Sequence, residues 1–264
     1  MYEFNYHQPA SLDEVARLLG SCEEAKLVAG GMTLIPTLKQ RLAKPSDLID
    51  LARIDSLKGI REEGDALVIG AMTRHVEVQR SALVRRAIPA LSELAGMIGD
   101  PAVRNRGTIG GSIANNDPAA DYPAAVLGLA GTIETTKRTI AADDFFTGMF
   151  ETALEEDEII TAVRLPKPQA AAYQKFKNPA SRYAIVGVFV ARTAGGVRVA
   201  VTGAGPCVFR VPAMEQALAQ SFTPDAIKDI TIPEDGLNSD IHASAEYRAH
   251  LVTVMARRAV AACA

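Results

Sequence analysis

The hydrophobic pattern of the first fifty residues alternates between helical and strand-like segments. We predict helices over residues 12–19 and 34–42 and strands over residues 25–29 and 47–51. Ser11 and Glu14 form a capping box before the first helix, and Gly20 is its predicted left-handed C-cap. Pro45 ends the second helix. These segments together predict a small α/β unit.

From residue 66 onward the pattern changes from strand-like to helical and back. We predict strands over residues 66–73, 131–136, 139–140 and 158–165, a helix that starts near Arg74, and helical regions over 81–97 and 121–129. The residues Gly99, Asp100 and Pro101 interrupt the helical region. Pro166 and Pro168 flank a polar residue, which predicts a domain boundary at this point.

The remaining residues predict a sheet followed by helices. Strand-like runs cover residues 173–177, 184–192 and 197–202, and helical runs cover residues 212–220, 224–230 and 243–262. The order of the strands favours an antiparallel meander. Gly203 and Gly205 imitate the start of a dinucleotide fingerprint, but Val208 occupies the place of its third glycine. We therefore predict a tight turn there.

Composition and charge argue against several classes of protein. The 264 residues are 48% hydrophobic and 22% charged, and 28 Lys and Arg nearly balance 31 Asp and Glu. This balance gives no indication of a nucleic-acid partner, and no apolar stretch has the length of a membrane span. The first residues lack the basic and apolar regions of a signal peptide. We expect a cytoplasmic protein of two domains.

Cysteine and histidine spacing predicts no metal site in this chain. Cys22, Cys207 and Cys263 are far apart and form no CxxC pair, and the four histidines are dispersed. Such spacing argues against a disulfide scaffold, an iron–sulfur cluster and a cysteine-rich zinc site. It fits a reducing compartment.

Two glycine pairs carry the candidate chemistry. Gly30 and Gly31 lie between a predicted strand and a predicted helix, where the first helical amides lack partners and favour an anion. Gly110 and Gly111 belong to residues 108–121, which are rich in hydroxyl, amide and carboxylate side chains. Paired glycines let the backbone approach a ligand, so these segments suit a cofactor with a diphosphate, a sugar chain and a polar ring. Ordinary turn formation is the alternative explanation for each pair alone.

The glycine pairs lie within motifs that resemble one family. The chain carries AGGMTLIP at residues 29–36, TIGG at residues 108–111 and DPAAD at residues 117–121. Shorter matches are IGAMT at 69–73, DEII at 157–160 and FK at 176–177. In this order the motifs resemble those of the FAD-binding medium subunits of molybdenum hydroxylases of the xanthine dehydrogenase and carbon monoxide dehydrogenase type. The resemblance covers nearly the whole chain.

The resemblance implies an α+β fold of two domains. Residues 1–168 are expected to form a two-lobed FAD-binding domain of the vanillyl-alcohol-oxidase (PCMH) type, with lobes of about 1–55 and 56–168. Residues 169–264 are expected to form a C-terminal domain of the CO dehydrogenase flavoprotein type, with a three-stranded antiparallel sheet and helices. FAD is expected to bind non-covalently between the two glycine motifs.

The resemblance also implies the residues that bind FAD. The diphosphate and ribityl chain are expected to contact Leu27, Val28, Ala29, Gly30, Gly31, Met32, Thr33 and Leu34. The other side of the cofactor is expected to be lined by Thr108, Gly111, Ser112 and Ala114, together with Ala71, Gly110, Asn115 and Asp117. Asp121 is expected to accept hydrogen bonds from the adenosine ribose or nearby backbone, Ile160 to pack near the adenine, and Lys177 to approach the flavin end.

Other readings of single residues stay open at this point. Asp121 could cap the predicted helix 121–129, and Lys177 could be a solvated strand residue. Arg104 and Arg106 either touch a partner subunit or simply flank the second motif, and the sequence does not decide between these roles.

The function that the resemblance implies is electron transfer. A small subunit with [2Fe–2S] clusters and a large molybdopterin subunit are the expected partners, in a dimer of heterotrimers, and no residue of this chain is expected to act as acid, base or nucleophile. The alternatives are a self-contained flavin oxidoreductase and a flavin-free assembly scaffold. The sequence indicates neither the oxidised substrate nor the terminal acceptor, for which NAD, quinone, a cytochrome and oxygen are all open.

Overall fold

The computed structural model describes residues 1–263 and begins with a small parallel sheet. Its elements are β1 (Asn5–His7), α1 (Leu12–Ser21), β2 (Ala25–Val28), α2 (Leu34–Lys39) and β3 (Asp47–Asp50). The strands pair in parallel in the order β1-β3-β2. Single 3-10 turns at Leu51–Arg53 and Asp55–Leu57 follow. The predicted α/β unit is confirmed.

The start of α1 agrees with its predicted cap and its end does not. The Ser11 hydroxyl accepts a hydrogen bond from the Glu14 amide at 3.3 Å, and the Glu14 carboxylate accepts one from the Ala10 amide at 3.0 Å. The prediction of Gly20 as the C-cap was wrong, because the helix continues and Cys22 is the capping residue. A glycine permits a left-handed turn without requiring one.

The middle of the chain supplies a second sheet and most of the short helices. Its elements are β4 (Ile60–Glu63), β5 (Ala66–Gly70), α3 (His75–Arg80), α4 (Ala82–Ala87), α5 (Pro89–Met97), α6 (Pro101–Arg106), α7 (Ile109–Asn115), α8 (Tyr122–Gly128), β6 (Thr132–Thr135), β7 (Thr139–Ala141), α9 (Ala142–Phe145), β8 (Phe146–Gly148), β9 (Glu151–Thr152) and β10 (Ile160–Pro166). Five strands form an antiparallel sheet in the order β4-β5-β10-β6-β7, and β8 pairs with β9. Strand β10, which comes last in the sequence among these five strands, therefore lies at the centre of this sheet.

The helical region predicted over residues 81–97 consists of two helices. Ile88 separates α4 from α5 with φ −142° and ψ 73°, outside the helical region. Pro89 follows it and occupies the first turn of α5, where its missing N–H costs no hydrogen bond. A residue before proline is disfavoured in helical geometry, which explains the break.

The C-terminal part is a sheet covered by helices. Its elements are β11 (Ala170–Lys177), β12 (Ala184–Thr193), β13 (Gly196–Thr202), β14 (Phe209–Arg210), α10 (Pro212–Gln220) and α11 (Ala245–Ala262). The predicted three-stranded antiparallel meander is confirmed, and the two-residue β14 adds a fourth strand. The helix predicted over residues 224–230 is a single 3-10 turn, Pro224–Ile227. No helix follows β13 directly, so the predicted turn in place of a dinucleotide fingerprint is confirmed.

The hydrophobic core continues across the predicted domain boundary. Strand β12 has eight consecutive buried residues because both faces of the sheet are covered. Phe189 packs in the same cluster as Tyr122 of α8, whereas Val188 packs with Met255 of α11. The sheet is therefore held between α8, which precedes the predicted boundary, and the last helix, α11. Among residues 1–263, no helix has the length and apolarity needed to cross a membrane.

Candidate cofactor site

The first glycine motif is built by backbone constraints that only glycine meets easily. Gly31 has φ +72°, in the left-handed region. A Cβ on Gly30 would lie 2.3 Å from the Arg106 carbonyl oxygen, so the chain after β2 packs directly against the end of α6. The motif predicted from the sequence thus makes a close backbone approach to the segment that precedes the second motif.

Five consecutive amides of the first motif have no acceptor within the chain. The first amide of this region with a backbone partner is that of Ile35, which donates to the Gly31 carbonyl at 3.0 Å. The amides of Gly30, Gly31, Met32, Thr33 and Leu34 donate to no backbone or side-chain atom of residues 1–263. Unpaired donors at the beginning of a helix favour a negatively charged ligand. These amides are the strongest anion-binding feature of the site.

The second glycine motif differs from the predicted loop. Gly110 and Gly111 lie in the first turn of α7, and Thr108 caps this helix by accepting a hydrogen bond from the Gly111 amide at 3.2 Å. The Gly110 amide donates to the Ala71 carbonyl at 2.9 Å. Both amides therefore already have protein acceptors and are not free to bind an anion. This segment offers side chains such as Ser112 and Asn115 to a ligand.

Both glycine motifs face one cleft of about 520 Å³. A Cβ on Gly111 would lie 3.2 Å from the Cβ of Ala29, so the two motifs are in direct contact at one end of this cleft. The prediction that Gly30 and Gly31 share a cleft with Gly110 and Gly111 is confirmed. The volume lies within the usual range of small-molecule and cofactor pockets.

Nearly all predicted site residues line this cleft. They are Leu27, Ala29, Gly30, Gly31, Met32, Thr33, Leu34, Ala71, Thr108, Gly110, Gly111, Ser112, Ala114, Asn115, Asp117, Asp121 and Ile160. Val28 does not line it, and its buried side chain packs instead with Leu38 and Leu48. Lys177 does not line it either and lies exposed at the end of β11.

Fifteen further lining residues were not among those predicted from the sequence. They are Lys26, Leu51, Met72, His75, Ile98, Gly99, Val103, Gly107, Ala120, Leu154, Glu158, Ile159, Ser181, Arg182 and Tyr183. Met72, His75, Glu158 and Ile159 adjoin or belong to motifs that the sequence shows, so proximity to those motifs could have found them. Ser181, Arg182 and Tyr183 come from the connection between β11 and β12, and only the tertiary fold brings them to the cleft.

Asp121 joins the cleft to the C-terminal sheet. One carboxylate oxygen accepts a hydrogen bond from the Tyr173 hydroxyl at 2.5 Å, and the other contacts the Lys175 ammonium at 2.9 Å. Asp121 makes no side-chain cap on α8. Burial raises the pKa of Asp121, while the nearby Lys175 opposes that rise. The lysine brought to this region is thus Lys175, whose side chain is almost fully buried, and not Lys177.

Four other titratable side chains at the cleft have perturbed pKa values: burial raises the pKa of Asp117 and of Tyr183, and His75 and Glu158 shift downward. Burial, together with the positive charge of Arg104, lowers the pKa of His75 to about 4, and its Nδ1 has no hydrogen-bond partner among residues 1–263. The Arg138 guanidinium and the Thr135 hydroxyl bind Glu158 and lower its pKa to about 2. At neutral pH the cleft therefore contains a neutral imidazole and a paired carboxylate.

The donor set of this cleft fits FAD. The free amides of Gly30 to Leu34 suit a diphosphate, and the side chains of Ser112 and Asn115 suit hydroxyls. Leu27, Ile160 and other apolar residues supply walls for flat rings. A two-lobed α+β fold with such a cleft defines a flavin-nucleotide-binding protein.

Comparisons with known proteins agree with that class. Residues 2–168 match the family model of the FAD binding domain in molybdopterin dehydrogenase, and residues 171–263 match that of the CO dehydrogenase flavoprotein C-terminal domain. The chain therefore belongs to the family of FAD-binding medium subunits of molybdenum hydroxylases. It is an oxidoreductase subunit with FAD as its cofactor, and the family that its sequence resembles is confirmed.

Similar proteins extend over the full chain. The carbon monoxide dehydrogenase medium chain of Hydrogenophaga pseudoflava is 37% identical, over 97% of this chain and 96% of the relative. The nicotine 6-hydroxylase medium subunit of Paenarthrobacter nicotinovorans is also 37% identical, over 97% and 95%. A solved structure of the Hydrogenophaga pseudoflava carbon monoxide dehydrogenase that lacks the Mo-pyranopterin moiety of its cofactor superimposes with a TM-score of 0.91. It is 39% identical and covers 99% of this chain and 97% of that one.

Proposed function

We propose that this chain is the electron-transfer subunit of a molybdenum-containing hydroxylase or dehydrogenase in the cytoplasm. It passes electrons from iron–sulfur clusters in a partner subunit to an external acceptor. The observation that carries the proposal is the single cleft in which the five free amides of residues 30–34 meet the second glycine motif. The relatives named as medium chains of carbon monoxide dehydrogenase and nicotine 6-hydroxylase support it.

The task of this chain is to bind FAD non-covalently and to hold it in one orientation. FAD supplies one-electron and two-electron redox chemistry when bound. The amides of residues 30–34 bind its diphosphate, and the side chains of Thr108, Ser112, Asn115, Asp117 and Asp121 contact its sugar hydroxyls. The remaining lining residues exclude water from the cleft. We assign the seventeen predicted residues that line the cleft to this site and leave Val28 and Lys177 outside it.

Three titratable groups of the cleft, His75, Glu158 and Asp121, favour this role over a self-contained oxidoreductase. A general acid or base works best with a pKa near the operating pH. His75 is neutral with a pKa of about 4, and Glu158 is ionised and paired with Arg138. Asp121 is occupied by Tyr173 and Lys175. Substrate chemistry by these groups is therefore disfavoured in this chain.

The proposed assembly has three kinds of subunit. A small subunit with [2Fe–2S] clusters delivers electrons, a large molybdopterin subunit oxidises the substrate, and two such heterotrimers form a dimer. Within this chain we propose that residues 1–168, with lobes of about 1–55 and 56–168, bind FAD, and that residues 169–264 form the second domain. Since the relatives carry substrate names as different as carbon monoxide and nicotine, the substrate is set in another subunit.

Reconstitution and copurification test this function. We expect the purified chain to retain about one FAD per chain after gel filtration and to show no steady turnover alone. A tagged copy expressed in its native host is expected to copurify with proteins that contain iron and molybdenum. Failure to retain FAD would support the flavin-free scaffold, and steady substrate oxidation by the chain alone would support the self-contained enzyme. Either result would overturn the proposal.

A further inference from the structure

Three side chains of metal-binding type lie close together beside the first sheet. His7 comes from β1, Cys22 follows α1, and Asp47 begins β3. Their ligand atoms all lie within 4.8 Å of one another. None of them lines the FAD cleft. The cluster is therefore separate from the cofactor site.

Hydrogen bonds already orient the carboxylate of this cluster. His7 Nε2 lies 2.7 Å from one oxygen of Asp47, and the Ser46 hydroxyl donates to the other oxygen at 2.7 Å. Asp47 is buried, whereas His7 and Cys22 are partly exposed. The Ser46 hydroxyl thus holds one carboxylate oxygen of Asp47 in place, and the other oxygen faces the His7 imidazole. Hydrogen-bond partners orient metal-binding side chains in the same way.

The His7–Asp47 pair needs only a small change to accept a metal ion, and the Cys22 thiol lies within 4.8 Å of both ligand atoms. Tetrahedral zinc binds nitrogen and oxygen at about 2.0–2.2 Å and thiolate at about 2.3 Å, which separates the nitrogen and oxygen ligands by roughly 3.3 Å. Moving His7 away from Asp47 by about 0.6 Å would reach this separation. The metal would then take the place of the proton shared by the two side chains, and the partly exposed thiol side leaves room for a water as fourth ligand.

We propose that His7, Cys22 and Asp47 bind one divalent cation of the zinc type. One nitrogen, one sulfur and one oxygen ligand suit zinc, while calcium and magnesium prefer oxygen ligands alone. The ion joins β1, the end of α1 and β3, and so stabilises the lobe that carries the first glycine motif. Spacing along the sequence gave no sign of this site because the three ligands are far apart in the chain and only the parallel sheet brings them together.

Cobalt substitution in the full-length protein tests the site. After treatment with a chelator, one equivalent of Co²⁺ is added, and the d–d bands are read at wavelengths longer than those of flavin absorption. We expect tetrahedral bands in the wild type, competition by one equivalent of Zn²⁺, and loss of the bands in Cys22→Ser. Cys207→Ser is the matched control, because Cys207 is also partly buried and lies outside the cluster, and it is expected to keep the bands.

A second measurement keeps the proposal testable if Cys22→Ser folds poorly. In the wild type, Zn²⁺ is expected to slow alkylation of Cys22 at least about tenfold, read by mass spectrometry, and to leave alkylation of Cys207 unchanged. Wild-type protein that binds less than one metal per chain, or equal protection of both cysteines, would overturn the site. Because the readouts do not use FAD, failure of this proposal is distinguishable from failure of the proposed function.

Discussion

Gly30 shows how a single missing side chain shapes the cofactor cleft. A Cβ at this position would lie 2.3 Å from the Arg106 carbonyl oxygen, and a backbone atom cannot move aside as a flexible side chain can. We expect Gly30→Ala to push the first motif away from α6 and to cost about 1–3 kcal/mol of stability. We also expect it to weaken FAD binding by about tenfold, which corresponds to a loss of about 1.4 kcal/mol of binding free energy. FAD titration followed by flavin fluorescence measures this.

Gly20→Ala is the matched control for Gly30→Ala. Gly20 lies inside α1, and a Cβ there meets nothing within 4 Å. Alanine is the better helix former by about 0.5–1 kcal/mol, so this variant is expected to bind FAD normally with equal or greater stability. Equal FAD affinity in both variants would show that the contact of Gly30 with α6 does not shape the site.

His75 gives the protein a predictable sensitivity to acid. Its pKa is lowered from 6.5 to about 4 in the folded state, so below pH 6.5 the unfolded chain binds the proton more strongly. Stability is therefore full above pH 6.5 and falls as the pH approaches 4, by up to about 3 kcal/mol. We expect His75→Leu to lose this part of the pH dependence, measured by urea unfolding between pH 7 and 4. His242→Asn, at an exposed site, is expected to retain the wild-type slope.

Helix α7 contributes to the cleft through its cap as well as through its residues. Thr108 Oγ1 accepts the Gly111 amide, and Ser11 makes the same kind of cap on α1, away from the cleft. Replacement of either residue by alanine is expected to cost about 1 kcal/mol in urea unfolding. Only Thr108→Ala is expected to weaken FAD binding as well, because the freed Gly111 amide and the loosened turn lie in the cleft. Unchanged FAD affinity in Thr108→Ala would contradict a role of this cap in the site.

Hydrophobic periodicity predicted the long helices and strands correctly, and it failed where tertiary contacts determine the local structure. The spacing in α11 and the apolar run of β12 were sufficient, since both bury a continuous apolar face. The helix α7 was missed because two glycines in seven residues give a low helix propensity, which the Thr108 cap and the contact with Ala71 overcome. Lys177, named from the sequence, does not line the cleft, and only the fold shows that Lys175 of the same strand reaches Asp121.

The cofactor site shows the same difference between what local sequence patterns predict and what only tertiary contacts determine. Both glycine motifs were visible in the sequence because a close backbone approach restricts the residue type at Gly30 and Gly110. Tyr183 lines the same cleft, but a tyrosine between two strands has no local property that predicts a contact with residues about 150 positions earlier along the chain. The sequence therefore predicted the side of the site made by the backbone better than the side contributed by the C-terminal sheet.

At the scale of the whole molecule, the two predicted domains share one packed interior. Tyr173 and Lys175 bind Asp121, the Thr202 hydroxyl donates to the Ala120 carbonyl at 2.7 Å, and the Arg198 guanidinium donates to the Leu127 carbonyl at 2.9 Å. These bonds surround a core cluster that contains residues from both sides of the boundary. Separation would expose the apolar surface of this shared cluster to water and remove both partners of Asp121.

We therefore expect residues 1–168 alone to lose cooperative folding and FAD binding. The full chain is expected to unfold in urea in a single transition, with far-UV circular dichroism and flavin fluorescence changing together. As a control, a protease site inserted between residues 168 and 169 allows cleavage without separation, and the cleaved pair is expected to keep FAD because the shared interior remains. An isolated 1–168 fragment with a cooperative transition and full FAD affinity would show instead that the cleft is complete without the C-terminal sheet.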